Sequence, residues 1–464
     1  MNSQKPREGI ARSKRSLAQQ ITRLTESPPA KQLDSRDRRV LRIQVRTART
    51  DALSWLDAQK AQVKVYWADR KKQFEMAGIG QAESISSDQH ISYNDLFSRI
   101  NDSLSGADKD VRFYGGVRFS NHRLADPGWK IFGAYRFILP RFELYNHHDE
   151  SSLVCNLVYR RDRNIPLTEI LRELEGVTFP QENEDNQIPM MVRRRDDPDK
   201  AGWIQNVESA IRLLDQGEVQ KIVLARKSSF DFKNKLNPLA LLLKLKTAMP
   251  ECFHFCFMPE PGVAFIGASP ERLYLRQGKL IQSEAIAGTR PRGTSTAADG
   301  ALGQNLLHSD KDLREHRYVV QGIRETLAPL CQVLDVGEEI SILRLAQCQH
   351  LVSFIEGTLV GDVLDTDILQ RLQPTPAVGG YPAGAALDEI DRLESFDRGW
   401  YAGPIGWVSP NATEFAVAIR SGLIDGSKLC LFSGAGIVEG STADGEWDEI
   451  ENKISDFIKV LANQ

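Results

Sequence analysis

Beyond Val219 the sequence settles into long apolar runs that alternate like β-strands and are joined by very short turns. VQKIVLARKSSFDF (219–232), GVAFIGAS (262–269), RLYLRQGKLIQSEAI (272–286) and EFAVAIRSGLIDGSKLCLFSGAGIV (414–438) read as long antiparallel strands. Arg276-Gln277-Gly278-Lys279 and Asp425-Gly426-Ser427-Lys428 are hairpin connections, because glycine supplies the positive φ that a two-residue turn needs. A few strong helices interrupt the strands. The pattern predicts an α+β design of antiparallel sheets packed in a sandwich, with helices outside.

Residues 1–195 are more mixed, with a helix near 15–25 and strand-like runs at 41–46, 63–68, 113–119, 129–145 and 152–160. The charge-dense stretch PQENEDNQIPMMVRRRDDPDKAG (180–202) reads as a linker, and Trp203 to Asp215 as an amphipathic helix. The expected division is therefore an N-terminal part, 1–200, and a C-terminal region, 201–464.

With 464 residues, 41% of them hydrophobic and 26% charged, the chain can bury a large core. A net charge of −3 gives no electrostatic case for nucleic acid or a membrane surface as partner. No apolar run approaches the roughly 18 residues that cross a bilayer. Six cysteines are scattered, and Cys252 and Cys256 alternate with Phe around His254. No second ligand cluster has zinc-like spacing, so these read as reduced core thiols in a cytoplasmic protein. The first 25 residues are basic, with Glu8 the lone acid, a composition that transit peptides share. Helical apolar spacing from Ser16 to Leu24, with no evident cleavage signal, favours a frayed N-terminal helix.

Two helices carry acids beside their apolar stripes. In SDKDLREHRYVVQGIRETLAPL (309–330), Val319, Ile323 and Leu327 form the stripe, and Asp312 and Glu315 fall on its margin. In EWDEIENKISDFIKVLA (446–462), Ile450, Ile454, Phe457 and Leu461 form the stripe, bordered by Glu446, Glu449 and Lys453. Each helix alone could simply expose an acidic flank. If the two pack near each other, four carboxylates converge and need a counter-ion. Oxygen ligands with few imidazoles favour Mg²⁺, held by one or two carboxylates with water and substrate.

Other residues raise single questions. Glu271 and Arg272 follow a Gly-Ala-Ser-Pro break in an apolar run, where a carboxyl group loses water and its pKa rises. Packing accident and general acid are both open. Lys221 lies in a Val/Ile/Leu run, as a desolvated base or as a snorkelling edge residue. Arg420, in another apolar strand, suits a bidentate carboxylate ligand or a structural ion pair. LCLFSGAGIVEG (429–440) spaces its glycines as G-x-G-x-x-x-G without a prompt helix, which argues against a dinucleotide loop. Its glycines, and AGTRPRG (287–293), could instead offer backbone N–H groups to an anion.

Ten motifs in order, VQKIVLARK, FIGASPERL, SEAIAGTRPRG, KDLREHRYVV, CQHLVSFIEG, LQPTPAVGGYP, DRGWYAGPIGW, FAVAIRSGLI, SGAGIVEGS and EWDEIENK, cover residues 219–455 almost continuously. Together they resemble the chorismate-utilising enzymes, and within them the isochorismate synthases most closely. The first 200 residues match loosely, FYGGVRF best. The resemblance implies the large chorismate-binding fold and Mg²⁺-dependent conversion of chorismate to isochorismate, with water adding at ring C2 and the C4 hydroxyl leaving. It implies Lys221 as base, Glu271 as acid, Glu315 and Glu449 as direct metal ligands, and Asp312 and Glu446 as ligands through water. Tyr401, Arg420, Lys453 and backbone groups around Gly288, Thr289, Gly434 and Gly436 would receive the substrate's carboxylates, with His350 nearby. In that chemistry Glu271 must be protonated and Lys221 neutral, which a dry pocket favours.

Lys221 separates the chain from anthranilate synthases, which resemble it but lack a lysine at the matching position. No glutaminase-like cysteine motif occurs, so no glutaminase subunit is expected, and the resembled enzymes imply a monomer. Salicylate synthases keep the Lys/Glu pair and go on to eliminate pyruvate; DRGWYAGPIGW and PTPAVGG favour the simple isomerase, supplying menaquinone or a siderophore. Ser353 stands in place of the more usual Thr, and STADGEW lacks the common Asp-Pro-Glu; neither change removes an implied ligand.

Overall fold

The computed structural model describes residues 4–26, 38–121, 123–160, 165–180, 187–337 and 339–462. Every strand pairing among them is antiparallel, in one sheet of 12 strands and one of 10. The predicted hairpins form at the predicted turns. Gln277 pairs with Leu280 and Asp425 with Lys428, and Gly278 and Gly426 take φ of 59° and 60°. The N-terminal helix runs Gln4–Glu26, and Leu17 and Ile21 are fully buried.

Side-chain alternation separates two cores. Along Phe253–Glu260, Phe253, Phe255 and Phe257 enter the first core, while Cys256 and Met258 enter the second. The first core lies between the sheets. Trp67 and Phe265 of the larger sheet share it with Phe113, Phe137 and Phe415 of the smaller one, and Trp400 packs on Phe257 at 5.1 Å. The second core lies under helices Gln4–Glu26, Pro238–Ala248 and Ala443–Ala462, whose Leu17, Leu242 and Phe457 are buried there. Burying one such side chain contributes about 1.5–3 kcal/mol. All six cysteines are free; Cys155, Cys252, Cys256 and Cys348 are buried.

Both sheets draw strands from either side of residue 200. Lys64–Ala68 pairs with Phe253–Glu260 in one, and Phe113–Val117 with Pro404–Val408 in the other. The expected linker needs correction. Residues 181–186 of it lie outside the described residues, but Met191–Asp197 is a strand on Lys221–Phe232. Its charges fit an edge strand, which must stay wet on one side. Arg194 finds Glu451 at 2.5 Å. The amphipathic helix follows as Lys200–Asp215, capped by Asp199.

Two chain crossings between the sheets matter most. Val263–Ser269 belongs to the larger sheet and Arg272–Gln277 to the smaller, with Pro270 and Glu271 as the corner. Ala412–Val417 and Ser421–Asp425 cross the opposite way, with Arg420 in their corner at φ 50°. The corners bond to each other: Val417 N–H donates to the Glu271 carbonyl at 3.1 Å, and Ala268 N–H to the Arg420 carbonyl at 3.0 Å.

Candidate active site

The crossings deliver Glu271 and Arg420 into one cavity between the sheets. Its walls also carry Gly288, Thr289, Glu315, His350, Tyr401, Gly434, Gly436, Glu449 and Lys453. Ten of the fourteen residues singled out in sequence are therefore cavity-lining side chains or glycines besides Glu271 itself. Lys221, Asp312 and Glu446 stand behind this lining.

Glu271 is 3% exposed. Burial raises its pKa to about 8; Lys221 and Lys453 pull it down and Glu284 pushes it up. At neutral pH the carboxyl group is thus protonated and can donate. Lys221 opens the strand Lys221–Phe232 and is fully buried. Its Nζ lies 3.1 Å from Glu315 Oε1, at ion-pair distance but outside hydrogen-bond geometry.

The Asp310–Leu327 helix begins at Ser309, whose hydroxyl accepts from Asp312 N–H at 3.4 Å. Asp312 does not complete a capping box, because its carboxylate takes Arg290 at 2.6 and 3.3 Å. Asp312, Glu315, Val319, Ile323 and Leu327 are all buried, so the acids share the buried face. On Ala443–Ala462, Glu446, Ile450, Ile454, Phe457 and Leu461 are likewise buried. Convergence of four uncompensated acids is not what forms. Each carboxylate has its own cation: Arg290 on Asp312, Lys221 on Glu315, Lys311 on Glu446 at 2.5 Å, and Lys453 on Glu449 at 2.6 Å. Burial and the neighbouring Glu449 carboxylate raise the pKa of Glu446. Burial acts the same way on Glu449, where Lys453 more than offsets it.

Among the described residues, no three His, Cys, Asp or Glu side chains close on one point. Glu315 and Glu449 nevertheless both face the cavity, which is the donor set that Mg²⁺ accepts with water and substrate completing its shell. Gly436 keeps that corner open. A Cβ there would run into the Glu315 carboxylate and come within 2.8 Å of Lys221 Cε. Gly434 and Gly436 sit inside the strand Lys428–Ile437, opposite Ala225 and Val223, so the glycine-rich run is a ladder strand there. Gly288 does need its freedom: it has φ 72° at a bulge between Ala287 and Thr289.

One side of the cavity is basic. Arg420 donates to Asp456 at 3.2 Å and to the Lys453 carbonyl at 3.1 Å, and Lys453 Nζ donates to the Gly434 carbonyl at 3.0 Å. Tyr401 lines the same cavity, stacked on Phe432 at 5.4 Å, and burial raises its pKa. His350 Nδ1 lies 3.1 Å from both Thr289 Oγ1 and the Gly288 carbonyl. Its Nε2 meets Cys348 Sγ at 3.3 Å, and Arg420 Nη2 reaches the same sulfur at 3.4 Å. Cys348 escaped the sequence reading as an ordinary core thiol. The signal was its i, i+2 spacing from His350, which puts both on one face of a strand. Ser353 touches His316 Nε2 at 2.9 Å.

Two antiparallel sheets closing on a buried acid and a set of basic anchors define an enzyme for a small anionic substrate. The chain belongs to the chorismate-binding enzymes: the family model described as "Chorismate binding enzyme" matches residues 24–462. It is 34% identical over 399 residues to isochorismate synthase 2, chloroplastic, of Arabidopsis thaliana, covering 84% of this chain and 71% of that one. It is 33% identical over 415 residues to isochorismate synthase MenF of Escherichia coli, covering 89% and 90%. The solved structure of MenF, the menaquinone-specific isochorismate synthase from Escherichia coli, superposes with a TM-score of 0.81 at 30% identity, covering 97% of this chain and all of that one.

Proposed function

We propose that this chain isomerises chorismate to isochorismate. The observation that carries the reading is Glu271, a buried acid whose pKa burial raises to about 8, in a cavity whose other walls carry Arg420, Lys453 and the carboxylates Glu315 and Glu449. Once Lys221 has given up the proton that pairs it with Glu315, water bonds to ring C2 as the free amine takes its proton, the double bonds shift, and the C4–O bond breaks as Glu271 protonates the departing hydroxyl. Water enters and water leaves, so the reaction is a net isomerisation. Arg420, Lys453 and Tyr401, with backbone groups at Gly288, Thr289, Gly434 and Gly436, hold the two carboxylates, and His350 orients the Thr289 corner.

Glu315 and Glu449 would hold Mg²⁺ directly, and Asp312 and Glu446 through water. When bound, the ion supplies positive charge that anchors the ring carboxylate. The chain acts as a monomer without a glutaminase subunit, and its product feeds menaquinone or siderophore synthesis in the cytoplasm. Among the described residues no helix is long and apolar enough to cross a membrane.

Incubation of the purified protein with chorismate and Mg²⁺, followed by chromatographic resolution of products, tests the reading. Isochorismate alone is expected. Salicylate and pyruvate formed without a partner lyase, or no turnover of bound chorismate, would overturn it.

A further inference from the structure

The corner that carries Glu271 is held from outside the cavity by a charged network that the proposed chemistry leaves unused. Arg70, in the connection after Lys64–Ala68, donates to the Pro270 carbonyl at 2.6 Å and to both Glu284 oxygens at 2.5 and 3.0 Å. Glu284 also accepts from Arg272 at 3.4 Å, and Arg272 continues to Glu414 at 3.1 and 3.3 Å. The residues immediately before and after Glu271 are therefore both tied to one carboxylate, itself 3% exposed. The two guanidinium groups each lie 5.5 Å from the Phe253 ring centre, within cation–π range. A buried network of this kind is weak evidence for stability, since burying its charges costs about what their pairing returns. Its geometry fits a different task, that of fixing one short corner in space.

We infer that Arg70 and Glu284 are positioning residues for the acid Glu271: Arg70 fixes the Pro270 carbonyl against Glu284, and Glu284 ties Arg70 and Arg272 together on either side of the acid. The inference rests on the reaction proposed above. It assigns a catalytic duty to the N-terminal half, which sends Arg70 across from the larger sheet. The charged groups acting on Glu271 are Lys221 and Lys453, which favour its ionised form, and Glu284, which opposes it.

Full-length wild type, Arg70→Ala, Arg70→Lys and Glu284→Gln are compared by kcat and KM for chorismate across pH. The carboxyl stretch of Glu271, identified by its loss in Glu271→Gln, is titrated by infrared spectroscopy. Arg70→Ala should lower kcat by about 10- to 100-fold while leaving KM within about threefold, as expected for a displaced catalytic group. Arg70→Lys should regain part of this, since an ammonium can meet the carbonyl but not both Glu284 oxygens. Glu284→Gln should move the Glu271 titration, and the alkaline limb of kcat, to lower pH. If Arg70→Ala does not fold, the volume-conserving Arg70→Lys and Glu284→Gln carry the test. Folded variants with wild-type kcat and an unmoved titration overturn the inference. A wild type that binds chorismate without isomerising it overturns the functional reading instead, and the infrared titration still decides whether Arg70 and Glu284 govern Glu271.

Discussion

Lys221 Nζ and Glu315 Oε1 are 3.1 Å apart, so the proposed base and a proposed metal ligand share one contact. A divalent ion on Glu315 competes with Lys221 for the same oxygen, which links metal binding to the state of the base. Chelation by EDTA should silence turnover, and added Mg²⁺ should restore it. Glu315→Gln should lose activity by about 100-fold or more, in line with other losses of transition-state charge stabilisation. Lys221→Met should be inactive yet bind Mg²⁺ more tightly than wild type by calorimetry. Metal-independent activity, or weaker Mg²⁺ binding in Lys221→Met, would reject this coupling.

Glu271 gives a pH signature of definite sign. Its pKa rises from 4.5 to about 8 on folding, chiefly through burial, so the folded state binds the proton more tightly than the unfolded chain. The acid is competent below about 8, and kcat should fall as pH rises through that value. Stability should also fall between pH 4.5 and 8, by up to about 1.4 kcal/mol per pH unit from this group alone. Glu271→Gln should abolish turnover, still bind chorismate, and lose stability less steeply over that window in denaturant titrations. An active glutamine variant would remove the acid role.

Gly436 tests how tightly the metal corner is built. The Cβ of Gly436→Ala would collide with the Glu315 carboxylate and lie 2.8 Å from Lys221 Cε. The strand pairing to Val223 would survive, because the added methyl group removes no ladder bond. Loss of kcat by about 10-fold or more with little change in melting temperature is therefore expected, from displacement of the proposed base and a proposed metal ligand at once. Normal kinetics would show that the corner is loose.

Local patterns made much of this molecule legible from sequence. Gly278 and Gly426 marked their hairpins because a positive φ is a local demand, and the acids of the two helices fell on buried faces because helical periodicity is local too. What places Glu271 and Arg420 was not local. Each sits where the chain leaves one sheet for the other, and only the distant partners of the flanking strands decide which sheet that is. Met191–Asp197 escaped for a similar reason, since an exposed edge strand carries charges that look like a linker. The cations on Asp312, Glu315 and Glu446 depend on the same long-range placement, whereas Lys453 reaches Glu449 as a local i, i+4 pair.

Cys348 offers the last prediction, because it touches two proposed substrate-binding residues without being needed for the chemistry. Burial would raise its pKa, but His350 at 3.3 Å and Arg420 at 3.4 Å outweigh this and lower it to about 6. The thiolate is the reactive form, so the sulfur should be alkylated at neutral pH more readily than Cys155 or Cys256, whose pKa burial pushes up. Modification there would displace Arg420 from the cavity wall. Iodoacetamide should therefore inactivate the enzyme with a rate that rises through about pH 6, chorismate should protect it, and Cys348→Ser should resist. Peptide mass mapping identifies the modified residue. Inactivation of Cys348→Ser at the wild-type rate would place the sensitive thiol elsewhere, whereas an alkylated Cys348 with full activity would show that Arg420 does not depend on this contact.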